Sequence, residues 1–195
     1  MRIILATHNS HKLVEVQAML ASTQWEVVGL DQYPELGEIP EDHDTMEANA
    51  IQKAETLFKY TGLPTVADDS GIEIRALGWA PGVYSKRWTP EETDEANNAK
   101  LLVELEGKSD RMAQYRCAIA FVTEKGTSTA EGICTGTIGH TLTGTGGFGY
   151  DPLFWPTDVP GRTMAQISLE EKNKISHRAA AFAHLPAMLE RYFKE

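Results

Sequence analysis

Residues 2–6 form a short apolar run suited to a buried strand, and after the polar cluster at 7–12 the apolar positions Leu13, Val16, Met19 and Leu20 recur at helical spacing. The predicted opening is strand, polar loop, helix. Residues 26–30 predict a second strand, followed through Asp44 by a loop rich in proline, glycine and acidic residues. Thr45 suits the cap of a helix running to about Tyr60, with Ala50, Ile51, Ala54 and Leu57 on one face and Gly62 and Pro64 as its stop. Residues 65–67 and 72–74 read as strand segments on either side of an acidic turn, Asp68-Asp69-Ser70-Gly71.

Pro90 fits the first turn of a helix ending near Glu106, whose buried stripe is Leu101, Leu102 and Leu105. Two long β-type runs, 111–123 and 128–138, predict an antiparallel pair with Gly126 at the turn. A glycine-rich loop follows over 139–149, and a helix from about Ser176, kinked by Pro186, closes the chain. Strands interleaved with helices early and a long hairpin later predict an α/β fold with a mixed sheet. No repeat or linker interrupts the 195 residues, so a single domain over 1–195 is expected.

Charge narrows the partners. With 18 basic against 28 acidic residues, the net −10 opposes a long nucleic acid but leaves a small polyanion open, held by a divalent cation and a few lysines. No apolar run approaches the ~20 residues that span a bilayer, and the opening seven residues meet polar chemistry too early for a signal peptide. A cytoplasmic protein without membrane association is expected. Cys117 and Cys134, the only cysteines, lack a CxxC or metal-ligand spacing and read as reduced core thiols.

Four segments carry candidate chemistry. Thr7-His8-Asn9-Ser10-His11-Lys12 sits where a strand hands over to a helix, and reads equally as a phosphate cradle or as an ordinary cap with Asn9 or Ser10 in the capping position. Asp68 and Asp69, side by side at a strand exit, call for a cation, and Mg²⁺ is the usual one. Gly144-Thr145-Gly146-Gly147-Phe148-Gly149 formally matches GxGxxG, but Tyr150-Asp151-Pro152 follows where a dinucleotide fingerprint needs a helix. A Phe between glycines suits stacking on a planar ligand instead, or packing into the core. Residues 170–178 are dense in donors, which by itself describes a solvated helix start. No GxSxG elbow supplies a nucleophile, which disfavours covalent catalysis.

Taken together, Thr7 to Lys12, Asn49-Ala50 with Lys53-Ala54, Ala67 to Gly71, Ala80-Pro81-Gly82-Val83-Tyr84-Ser85, Gly147 to Pro152 and Glu171-Lys172-Asn173 with Ser176-His177-Arg178 resemble the inosine triphosphate pyrophosphatase family. The resemblance implies a long mixed β-sheet with flanking helices, two lobes around a central nucleotide cleft, Mg²⁺ dependence and a homodimer. It also implies hydrolysis of ITP, dITP and XTP to monophosphate and pyrophosphate. By motif, Thr7, Asn9, Lys12, Lys53 and Ser70 would hold the phosphates; Glu41 and Asp69 would hold the metal, with Asp69 also activating water. Phe148 would stack on the purine, with Gly149, Tyr150, Asp151, Lys172, His177 and Arg178 around it. His177 and Arg178 would donate to the 6-oxo group that distinguishes hypoxanthine and xanthine from adenine. One departure from the family pattern is Ala48 in place of an acid, with Glu47 one position earlier. Beside this reading stand the same chemistry on another base and a nucleotide-sensing module without turnover.

Overall fold

The computed structural model describes residues 2–7, 10–21, 24–37 and 39–194. Strand β1 (Arg2–Leu5) lies between β2 (Glu26–Val28) and β3 (Thr65–Ile74) and runs parallel to both, with Ile3 opposite Val27 and Ile4 opposite Thr65. Strands covered on both faces read as unbroken apolar runs, which is why Ile3, Ile4 and Leu5 are all fully buried. Strands β4 (Met112–Thr123), β5 (Gly126–Ile138) and β6 (Phe154–Pro156) complete a six-stranded sheet in the order β2-β1-β3-β4-β5-β6. β6 is antiparallel to β5, with Phe154 opposite Ile138, so the sheet is mixed as expected.

Helix α2 (Met46–Thr61) has the predicted limits. The Thr45 hydroxyl accepts from Ala48 N at 3.2 Å, and Gly62 ends the helix in a left-handed conformation. Helix α1 (Ser10–Leu20) begins inside the predicted polar loop, which puts Lys12 in its first turn. Helix α3 (Asp94–Glu104) starts later than Pro90 suggests, because the hydroxyl of Thr93 is the one that caps it, accepting from Ala96 N at 3.2 Å. The C-terminal region holds three helices where one was expected: α4 (Leu169–Ile175), α5 (His177–Phe182) and α6 (Leu185–Lys194). Ser168 and Glu171 form a capping box that opens α4, and Pro186 falls in the first turn of α6, just after the helical run breaks at 183–184, where its missing N–H costs nothing.

The acidic turn expected at 68–71 is absent; β3 runs through it without a break. Asp68 and Asp69 are 1% and 5% exposed. Cationic side chains around them supply what water would supply at a turn, so the pair can stay in the ladder.

By its contacts the chain divides into two compact units. The first comprises 1–69, 117–132 and 178–195, and the second 70–116 and 133–177. In the first, alternate residues of β1 serve opposite faces. Ile3 and Leu5 pack with Phe121, Leu185 and Leu189, whereas Ile4 packs with Ala50, Ala54 and Leu57 of α2. The core of the second unit gathers Ile72, Ile74, Leu101, Leu105, Tyr115 and Phe154. Cys117 and Cys134 are free and buried, one in each unit. Among the described residues no helix is long and apolar enough to cross a membrane.

Candidate active site

In the first unit, strand alternation gives the two adjacent aspartates different surroundings. Asp68 Oδ2 receives Lys12 Nζ at 2.9 Å and Arg178 Nε at 3.3 Å. Arg178 Nη1 bonds Glu15, which lies three residues after Lys12 and so on the same face of α1. Burial works against ionisation of Asp68, but Lys12, Arg178 and Lys53 outweigh it and hold the carboxyl well below the usual carboxylate range. Its other oxygen, Oδ1, is buried without a hydrogen-bond partner.

Asp69 belongs to a different group, organised by α2. Asn49 and Lys53, one turn apart, share a face of that helix. Asn49 Nδ2 donates to Asp69 Oδ2 at 3.0 Å, and its Oδ1 accepts from His43 N at 2.9 Å, which ties down the loop before the helix. Lys53 Nζ donates to Glu41 Oε1 at 2.6 Å and to the backbone oxygen of Asp68. Burial pushes Asp69 up from the ordinary carboxyl value; Lys53 pulls it back and the charge of Glu41 pushes it up again. Burial likewise opposes the charge on Lys53, yet Asp68, Asp69 and Glu41 keep its affinity for the proton above normal. Glu41 and Asp69, far apart in sequence, therefore meet around one ammonium group.

Thr7 lies two residues beyond the end of β1, and Ser70 follows Asp69 on β3. Asn9 lies outside the described residues. Glu47, the acid displaced by one position, turns away from this group and accepts from Thr129 Oγ1 at 2.7 Å.

Among the described residues no set of three or more His, Cys, Asp or Glu side chains could hold a metal ion. The pair of Glu41 and Asp69 nonetheless offers hard oxygen donors of the kind magnesium takes. Mg²⁺ keeps several waters and is commonly held by one or two carboxylates plus substrate phosphates, so a half-buried Glu41 beside Asp69 meets its requirement for hard oxygen ligands.

The second unit assembles an aromatic group around Asp151, which is 3% exposed. Its Oδ1 accepts from Tyr115 Oη at 3.3 Å, and its Oδ2 accepts from Phe148 N at 3.1 Å and Lys172 Nζ at 2.8 Å. Burial, then the charge of Asp151, pushes the Tyr115 hydroxyl up well above its normal range, so it stays a donor. The Tyr115 ring stacks on His177 with centroids 4.7 Å apart, and Lys172 Nζ stands 4.6 Å from the centre of the Phe148 ring. Only glycine fits at 147: its φ is +74°, and a Cβ there would fall 2.1 Å from Asp151 Oδ2. Tyr150 is a core residue whose hydroxyl donates to Ser85 O at 2.7 Å.

Phe148, Gly149, Tyr150, Asp151, Lys172 and His177 thus stand in one unit, and Lys12, Glu41, Lys53 and Asp69 in the other. Arg178, 1% exposed and in the first unit, is held by Glu15 and Asp68. Two buried acids draw the guanidinium there, and a run of donors in sequence carries no sign of that choice. The two oxygens of Asp151 hold Tyr115, Phe148 and Lys172 in place. Sequence reasoning passed over Glu15 and Tyr115; only Glu15, at helical spacing from Lys12, offered a signal.

The family model of the Ham1 family matches residues 3–188. A dITP/XTP pyrophosphatase of Bacillus licheniformis is 47% identical over 192 residues, covering 96% of this chain and 97% of the relative. Among solved structures, a HAM1 protein from Coxiella burnetii superposes with a TM-score of 0.89 at 38% identity, covering 98% of this chain and 99% of the other. A nucleoside-triphosphatase, also titled dITP/XTP pyrophosphatase, from Mycobacterium abscessus gives 0.76 at 41% identity, covering 95% and 98%. With sequence and architecture agreeing over nearly the whole length, the chain belongs to the Ham1 family.

Proposed function

We propose that the protein hydrolyses non-standard purine nucleoside triphosphates, namely ITP, dITP and XTP, to the nucleoside monophosphate and pyrophosphate. Relatives of that named activity match 94–100% of the chain. The observation that carries the reading is the division of labour between adjacent aspartates. Asp68 is neutralised by Lys12 and Arg178, while Asp69, beside Lys53 and Glu41, keeps a raised affinity for a proton. A carboxylate of that kind is suited to take a proton from an attacking water.

In this reading Lys12 and Lys53, with Thr7, Asn9 and Ser70, hold the phosphates, and Glu41 and Asp69 hold Mg²⁺. A bound magnesium ion supplies charge neutralisation on the transferring group and the leaving pyrophosphate. The protein's own part is to place two ammonium groups and one basic carboxylate together under cover from bulk water. Phe148 stacks on the purine, and a stacked base is worth ~1–3 kcal/mol. His177 and Lys172 donate to the 6-oxo group, and ATP, which presents an amino group there, is rejected. Arg178 is assigned to the carboxylates. The homodimer implied by the resemblance and the cytoplasmic location expected from the sequence belong to the same proposal, and light scattering at twice the chain mass tests the dimer.

The test of the whole is product analysis over a panel of nucleoside triphosphates, run on the wild type and Asp69→Asn. The expected result is pyrophosphate and monophosphate from ITP, dITP and XTP but little from ATP. Asp69→Asn should lose on the order of 10²–10⁴ in kcat while still binding nucleotide. Release of orthophosphate, preference for pyrimidines, or full turnover by Asp69→Asn would refute it.

A further inference from the structure

The first residue of α3 spends its carboxylate in an unusual place. Capping falls to Thr93, and an acid one position on ordinarily faces water and gains from the positive end of the helix. Asp94 Oδ2 instead accepts from Gly149 N at 2.6 Å, a residue 55 positions later. Asn98, one turn along the same face, donates from Nδ2 to Gly149 O at 2.9 Å and to Asp94 O at 2.8 Å. One helix face thus grips both backbone polar groups of Gly149.

The consequence falls on Phe148. Its own N–H goes to Asp151 and the next N–H goes to Asp94, so each peptide flanking the phenylalanine is held by a carboxylate. Fixing those two peptide planes fixes the backbone torsions of Phe148, and with them the direction in which its ring leaves the chain. In a segment with glycine at 144, 146, 147 and 149, nothing in the local sequence would otherwise restrict that direction.

We propose that Asp94, supported by Asn98, is a positioning residue for base recognition: it presets the stacking ring of Phe148 without touching the nucleotide. The inference rests on the assignment of Phe148 as the stacking face. Pre-organisation of this kind acts on binding, because an untethered platform must be ordered each time a base arrives.

The test is a double-mutant cycle of Asp94→Ala and Phe148→Ala, read as KM and kcat for ITP, with Asp94→Asn as the conservative variant. Asp94 is exposed and Thr93 still caps α3, so Asp94→Ala is expected to fold, and its thermal midpoint checks that it does. Loss of one charge-assisted hydrogen bond should raise KM about tenfold with kcat held within about twofold. Asp94→Asn, which keeps an acceptor oxygen, should recover most of that rise, and in the Phe148→Ala background Asp94→Ala should add nothing. An equal KM rise in both backgrounds, or a fall in kcat at constant KM, overturns the proposal. So does an unaltered KM for Asp94→Ala when Phe148→Ala alone raises it. If Phe148→Ala leaves KM where it was, the stacking assignment falls and takes the proposal with it, a result distinct from the others.

Discussion

Asp68 and Asp69 are the same residue type on the same strand, and their neighbours give them opposite tasks. Asp68 receives Lys12 and Arg178, and the guanidinium also bonds Glu15. Removing one partner from such a buried set leaves the remaining charges without compensation. Arg178→Ala is therefore expected to cost ~3–5 kcal/mol, measured by denaturant unfolding. Arg178→Lys should recover only part, because a point charge cannot face Glu15 and Asp68 with a planar fork. Motifs in the sequence were enough to single out Lys12, Lys53, Glu41 and Asp69, all of which lie in the first unit, Lys12 beside Asp68 and Lys53 beside Glu41. They could not place Arg178, since residues on either side of a turn look equally available in a run of donors, and three-dimensional charge balance decides between them.

Elements were legible wherever local chemistry and tertiary packing agreed. Helix α2 had a cap, an apolar stripe and a glycine stop, and all three are present. β6, with three residues, is too short to show a pattern, and its pairing with β5 is what makes it a strand. The capping box at Ser168 and Glu171 was a usable signal for α4, hidden within a charge run that reads as one helix start. β3 was divided because Asp-Asp-Ser-Gly is turn chemistry, yet the strand needs its glycine for a different reason. A Cβ on Gly71 would fall 2.1 Å from Gly82 O and 2.6 Å from Ser85 Oγ. The same Ser85 hydroxyl accepts from Ile72 N at 2.8 Å, so the segment at 82–85 leans on the strand through the gap that glycine leaves. Gly71→Ala should destabilise by ~1–3 kcal/mol through overpacking, read as a lower thermal midpoint, because the nearest clashing atom is backbone and cannot rotate away.

The stability of the whole molecule should respond to acid in two opposed steps. Asp69, with its raised value, binds its proton more readily in the folded state than in the unfolded, so stability rises as pH falls toward the ordinary 3.8. Asp68 has the reverse sign. Its folded value is depressed, so its contribution is complete above 3.8 and is lost progressively as pH drops below that point. Denaturant midpoints taken with a chelator present should therefore pass through a maximum in mild acid. Asp69→Asn should flatten the rise and leave the later fall.

The first unit is assembled from the beginning, the middle and the end of the chain, and its final stretch, 178–195, contains Arg178 together with Leu185 and Leu189 of its core. Strand β1 is thus covered only when residues 178–195 are in place, and Asp68 and Glu15, although Lys12 reaches Asp68 from α1, gain Arg178 only then. A message cut short, even by a tenth, delivers no smaller working hydrolase. It delivers a chain with an acid stranded in an unfinished interior, which is material for proteolysis.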